Sequence, residues 1–222
     1  MRIFTLGDLH LSHQVEKPMD VFGGHWQDHA GRIMENWNRT VCEGDVVIMP
    51  GDFSWATYLD QAEEDFKFLG NLPGRKIMLK GNHDYWWETV TKMKNFLDSM
   101  GIWNIDFLYN NSYCFEGMCF GGTKGWDYRE ETDEKIINRE ISRFRLSLES
   151  VPEGASEVIA VFHYPPDENP MLLDILNDYG VKKCIYGHKH GYSEEPKRYI
   201  SGGIEYINAS ADQVGFTPVA IY

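Results

Sequence analysis

The chain has 222 residues, is 42% hydrophobic and 14% aromatic, and carries a net charge of -13. That composition supplies a substantial core without disulfides, and the acidic balance argues against a general nucleic-acid surface, which needs a basic stripe. No apolar run approaches the ~20 residues of a membrane span, and Arg2-Ile3-Phe4-Thr5-Leu6 is too short for a signal segment, so a cytoplasmic protein without membrane partners is expected.

Short apolar runs at 2–6, 45–49, 76–79, 158–162 and 184–186 are bounded by Gly, Pro, Asp or His and read as interior strands. Helical periods lie between them: Ala30, Ile33 and Trp37; then Leu59, Ala62, Phe66 and Leu69; then Trp86, Val90, Met93, Leu97 and Met100. Further on come Ile137, Ile141, Phe144 and Leu148, and then Leu172, Leu176 and Tyr179, where Asn169-Pro170 supplies a cap and a first-turn proline. Alternation of strand and helix implies βαβ units and a largely parallel sheet. Segments 112–123, 198–201, 205–209 and 218–222 have hairpin-like spacing, which adds a second, mixed or antiparallel sheet. No repeat or linker interrupts 1–222, so one domain is expected. Cys42, Cys114, Cys119 and Cys184 form no CxxC pair. On one strand Cys114 and Cys119 would face opposite ways, so reduced, packed thiols are expected.

Five motifs follow these strands: Asp8-Leu9-His10, Gly51-Asp52, Gly81-Asn82-His83-Asp84, a lone His163, and Gly187-His188-Lys189-His190. Open α/β sheets bind ligands outside the carboxyl ends of their strands, where these motifs stand. If the strand stays extended, Asp8 and His10 point to one side, and His188 and His190 repeat that spacing. Asp52 has two carboxylate oxygens and can bridge two ions, while Asn82 offers a neutral carbonyl oxygen.

The ordered set GDLH, GDF, GNHD, His and GHKH resembles the calcineurin-like metallophosphoesterase superfamily. That resemblance implies a four-layer α/β/β/α sandwich of two mixed β-sheets flanked by helices. It also implies two divalent or trivalent ions, Mn or Fe, with Zn as the alternative. Asp8, His10 and His190 would hold one, Asn82, His163 and His188 the other, with Asp52 shared. His83 would face the phosphoryl and leaving groups, with Asp84 steadying its ring. Two divalent ions with two carboxylates leave a centre of about +2, which favours a bridging hydroxide and a phosphate ester. The expected reaction is direct attack of that hydroxide on phosphorus. The substrate stays open among phosphomonoesters, nucleotides or cyclic diesters, and phosphoproteins.

Outside the motifs, Lys124, Trp126, Tyr128 and Arg129 follow Gly121-Gly122 and suit a loop over an anionic ligand. In that reading Lys124 or Arg129 contacts a phosphate and Trp126 or Tyr128 stacks on an organic group; an ordinary solvated turn is the competing reading. His25 and His29 mimic a helical metal pair, but Gly23-Gly24 reads as a loop entering a helix. One of Trp86 and Trp87 is expected in the core and the other at the cleft, and Trp55 after Asp52 has the same ambiguity. A metal-stabilised, non-catalytic binding or scaffold protein on the same fold is the alternative function.

Overall fold

The computed structural model describes residues 1–191 and 197–222. The first half winds β1 (Ile3–Thr5), α1 (His29–Thr40), β2 (Val46–Met49), α2 (Glu63–Gly70), β3 (Arg75–Met78), α3 (Val90–Ser99) and β4 (Ile105–Phe107). Strands β1 to β4 pair in parallel, as successive βαβ crossovers require. The second half contributes β5 (Ser112–Phe115), β6 (Met118–Thr123), α4 (Glu134–Glu149), β7 (Glu157–Phe162), α5 (Pro170–Asp178) and β8 (Lys183–Tyr186). It ends with β9 (Arg198–Ser201), β10 (Ile204–Asn208) and β11 (Val219–Ala220). Its sheet has the order β5-β6-β7-β8-β10-β9, parallel in the middle and antiparallel at both edges.

Alternation along the strands builds the layers. Ile3, Ile48 and Ile77 meet Phe120, Val161 and Ile207 in a core between the sheets. Phe4, Val47 and Met78 face the other way, into a core shared with Ile33 and Trp37 of α1 and Met93 and Leu97 of α3. Ala160 and Phe162 likewise turn outward to Phe144 of α4 and Leu172 of α5. The result is the expected four-layer α/β/β/α sandwich. Strands buried on both faces need continuous apolar runs, which is why they stood out in the sequence.

Four local expectations change. Segment 218–222 yields β11, which pairs antiparallel with β1 and so joins the first sheet rather than the second. The short β4 went unmarked because Asp106 interrupts its apolar pattern, neutralised here by Arg75 and Lys94. The third helix begins at Val90 behind a Thr89 cap; Trp86 precedes it, buried against Phe53 and Phe66. Finally, Cys114 and Cys119 form a disulfide. The parity argument assumed a single strand, whereas the chain turns at Glu116-Gly117 and places the two cysteines opposite each other across a hairpin. Cys42 and Cys184 are free, the first exposed and the second buried.

Candidate metal centre

The five motifs leave the carboxyl ends of β1, β2, β3, β7 and β8. The chain does not remain extended through Asp8 and His10, as the spacing suggested. Both have left-handed backbones, with φ of 54° and 48°, and Asp52 (52°) and His188 (69°) share that conformation. A non-glycine residue there costs on the order of 1 kcal/mol. Bonds between the loops hold it: Asp8 N donates to Gly51 O at 2.8 Å, His10 N to Asp52 O at 3.1 Å, and Leu11 N to Phe53 O at 3.0 Å. Leu9, between the two ligand candidates, is fully buried and anchors the turn in the core.

Two motif glycines make room for carboxylates. A Cβ on Gly81 would meet Asp52 Oδ1, and one on Gly187 would meet Asp8 Oδ2. The side chains can therefore converge. His10 Nε2 lies 3.1 Å from His190 Nε2, which lies 3.5 Å from Asp8 Oδ1. Asp52 Oδ2 lies 3.8 Å from His10 Nε2 and 3.5 Å from His163 Nε2. Beyond it, Asn82 Oδ1 is 2.6 Å from His163 Nε2 and 2.9 Å from His188 Nδ1. The structure thus brings all seven expected ligand residues together, with Asp52 between two groups.

These residues fit a metal centre. Asp52 Oδ2 is buried between two imidazoles with no hydrogen-bond partner among the described residues. Such an atom costs roughly 1–3 kcal/mol if left alone. Mixed carboxylate, amide and imidazole donors suit a first-row transition ion. Ligand atoms of Asp8, His10 and His190 lie within 4.8 Å of one another, as do those of Asp8, Asp52 and His163.

The ring nitrogens facing away are held as well. His163 Nδ1 stands 3.0 Å from Pro50 O, and His190 Nδ1 3.0 Å from Asp212 Oδ1. Asp212 also accepts from Gly191 N at 2.8 Å. Sequence reasoning missed Asp212, because it lies in no motif and reaches His190 only through the pairing of β10 with β8. Burial lowers His163 to about 3 and His188 to about 4. Burial raises Asp8 to about 8. His190 moves upward against burial, through its bond to Asp212 and the charges of Asp8, Asp212 and Asp52.

Asp84 does not steady His83. Its buried carboxylate accepts from the backbone N–H groups of Gly81 at 2.7 Å and of Asp52 and Phe53 at 2.9 Å, and from Trp86 Nε1 at 3.1 Å. Burial, together with the Asp52 charge, pushes it up to about 7. Consecutive residues on this turn diverge, so Asp84 ties the loop after β2 to the loop after β3. His83 Nδ1 has no partner among the described residues, and its ring lies 4.4 Å from Trp55. His83, His10 and His190 border a cavity of about 310 Å³, walled also by Met19, Trp26 and Trp55. Trp55 is therefore a cleft residue, with its ring stacked 4.9 Å from His10.

The glycine-rich loop divides. Trp126 is 3% exposed and packs in the outer core with Phe144 and Phe162, while it also lines the small cavity beside His188. Arg129 is paired with Glu168 at 2.7 Å. Tyr128 is exposed and borders a small cavity beside His188. Lys124 lies nearest the centre: its carbonyl accepts from His163 N at 3.2 Å. Trp86 is core, while Trp87 packs on Phe107 and Tyr109. His13 is bound to Asp65 at 2.7 Å, and His29 stands 3.3 Å from the His10 carbonyl oxygen. His25 belongs to a separate turn, so His25 and His29 do not share a helical face.

The sequence pattern of calcineurin-like phosphoesterases matches residues 1–192, and the chain belongs to that family. Its members are dinuclear metal-dependent phosphoesterases. The Gene 66 protein of Mycobacterium phage D29 is 35% identical over 83 residues, which is 37% of this chain and 40% of the phage protein. The chain therefore spans about two fifths of that relative. Protein AQ665 of Aquifex aeolicus, of unknown function, superposes with a TM-score of 0.57 at 18% identity, covering 99% of this chain and 95% of its own. The phosphopantetheinyl hydrolase PptH of Mycobacterium tuberculosis gives 0.59 at 15% identity, with coverage of 94% and 88%. At these identities the two structures attest the shared fold.

Proposed function

We propose that this chain hydrolyses phosphate esters at a two-metal centre. One position is formed by Asp8, His10 and His190, the other by Asn82, His163 and His188, with Asp52 shared. The carrying observation is the isolated Asp52 Oδ2, set between His10 and His163 with a ligand group on either side. Two bound ions would lower the pKa of water to supply a nucleophile and would neutralise phosphoryl charge. Mn, Fe and Zn all suit the donor set, with Mn or Fe favoured by the family.

The chain's own residues supply the rest. Bonds between loops fix the ligands before substrate arrives, so little reorganisation remains for the reaction. Asp212 and Pro50 O orient the His190 and His163 rings. His83 lines the cavity and in this reading holds a proton for the departing oxygen. Trp26 and Trp55 give the ester substituent an apolar wall. The partner in this reading is a phosphate-ester substrate in the cytoplasm, with no general nucleic-acid surface and no membrane.

Mn-loaded protein, assayed on aryl phosphomonoesters and diesters, tests the proposal. Turnover of at least one ester is expected in wild type and none in Asp52→Asn. Full metal loading with no turnover across the panel would favour a binding protein instead.

A further inference from the structure

A second charged group stands beside the centre. Lys80 follows β3, Lys124 follows β6, and Arg139, Glu140 and Arg143 come from α4; together they border a cavity of about 260 Å³. Four cations face one carboxylate there, in a protein whose net charge is -13. The cavity wall therefore carries an excess of three positive charges.

Glu140 is fully buried and already engaged. It accepts from Thr123 Oγ1 at 2.5 Å and from Arg143 Nη1 at 2.7 Å, with Arg139 Nε at 3.8 Å. Arg143 Nη2 donates to the Tyr109 hydroxyl at 2.9 Å, and the guanidinium lies 5.1 Å from the Tyr109 ring centre. The arginine is thus held in place with two of five N–H groups used. Lys80 and Lys124 are half-buried, and neither Nζ meets an acceptor among the described residues. Lys124 faces only the Tyr164 ring, at 5.7 Å. Like charges gathered on one cavity wall without acceptors repel one another unless an anion joins them.

The cavity also adjoins the metal centre. Lys80 stands two positions before Asn82, and the Lys124 carbonyl receives the His163 N–H. The Lys124 charge acts on both Asp52 and His163. A carboxylate would bring one charge and two oxygens. A phosphoryl dianion brings close to two charges and three acceptor oxygens, a better match for two free ammonium groups and a guanidinium fork.

We propose that Lys80, Lys124 and Arg143 form a second anion subsite for a phosphoryl group other than the one under attack, so that the substrate carries two phosphoryl groups. This rests on the phosphoesterase reading for the identity of the reacting group, while the subsite can be tested without turnover.

The probe is pyrophosphate, with lysine acylation of the full chain read by peptide mass spectrometry, first as purified and then after chelation. Pyrophosphate is expected to protect Lys80 and Lys124 while the exposed Lys182 labels unchanged, and succinate at matched ionic strength is expected to protect neither. Calorimetric affinity for pyrophosphate after chelation should fall about tenfold in Lys80→Met and again in Lys124→Met, a loss of ~1.4 kcal/mol for each ammonium removed. Labelling indifferent to pyrophosphate, equal protection by succinate, or unchanged affinity in both variants would overturn the subsite. Protection without hydrolysis of any ester would uphold the subsite and refute the catalytic reading.

Discussion

The two candidate metal positions are built from similar ligands in unlike surroundings. In the position of Asn82, His163 and His188, His163 is fully buried and His188 half-buried, and burial keeps the two histidines neutral down to about 3 and about 4. The position of Asp8, His10 and His190 opens onto the apolar cavity, with the His190 side chain 34% exposed. There burial raises Asp8 to about 8, and Asp212 helps raise His190. Protons and metal ions compete for the same lone pairs. The histidines of the first position are therefore ready for metal at any ordinary pH, whereas Asp8 and His190 of the second must first give up protons, and the shared Asp52, also raised by burial, bears on both.

Removing His83 should separate chemistry from ligation with the largest effect. His83→Ala is expected to keep both ions, by elemental analysis, and to lose roughly a thousandfold in kcat on esters with poor leaving groups. Metal lost along with activity would make His83 a ligand of the open position. Next, Asp212→Asn should weaken the open position alone, by about 10–100-fold in metal affinity, because it frees the His190 ring. Calorimetric Mn titration would show one weakened and one unchanged site; equal weakening of both would erase the distinction drawn here. The smallest effect is expected at the open cavity wall. Trp55→Ala should raise KM for aryl phosphates about tenfold, the loss of one ring contact worth ~1.4 kcal/mol. KM for a small alkyl phosphate should change less.

The sequence disclosed the candidate ligands because each follows a strand buried on both faces, so an apolar run announces the loop that carries them. It disclosed the layers for the same reason. What it concealed depends on contacts distant along the chain. Asp212 reaches His190 through a sheet pairing that no local pattern records, and Asp84, adjacent to His83 in sequence, turns away from it to accept from four backbone amides. Trp126 looked like a ligand platform by composition, yet its register buries it. The left-handed turns at Asp8 and Asp52 were hidden too, because their carboxylates need glycine-sized gaps in neighbouring motifs. The basic cavity joins Lys80 to α4 across more than fifty residues, and only Lys124 of its members was marked from sequence.

Proton competition also fixes the sign of the pH dependence. Asp8 and His190 both hold protons more firmly in the folded chain than free in water, so affinity at the open position falls as pH falls, by about tenfold per pH unit for each proton displaced. His163 and His188 exert no such drag until the pH nears about 4. Equilibrium dialysis against Mn, at pH 8.5 and again at pH 5.5, on wild type and Asp52→Asn, tests the shared but unequal centre most directly. The account predicts two ions per wild-type chain at the higher pH, one at the lower, and fewer than two in the variant at either. Parallel loss of both ions on acidification, or two ions retained in Asp52→Asn, would contradict it.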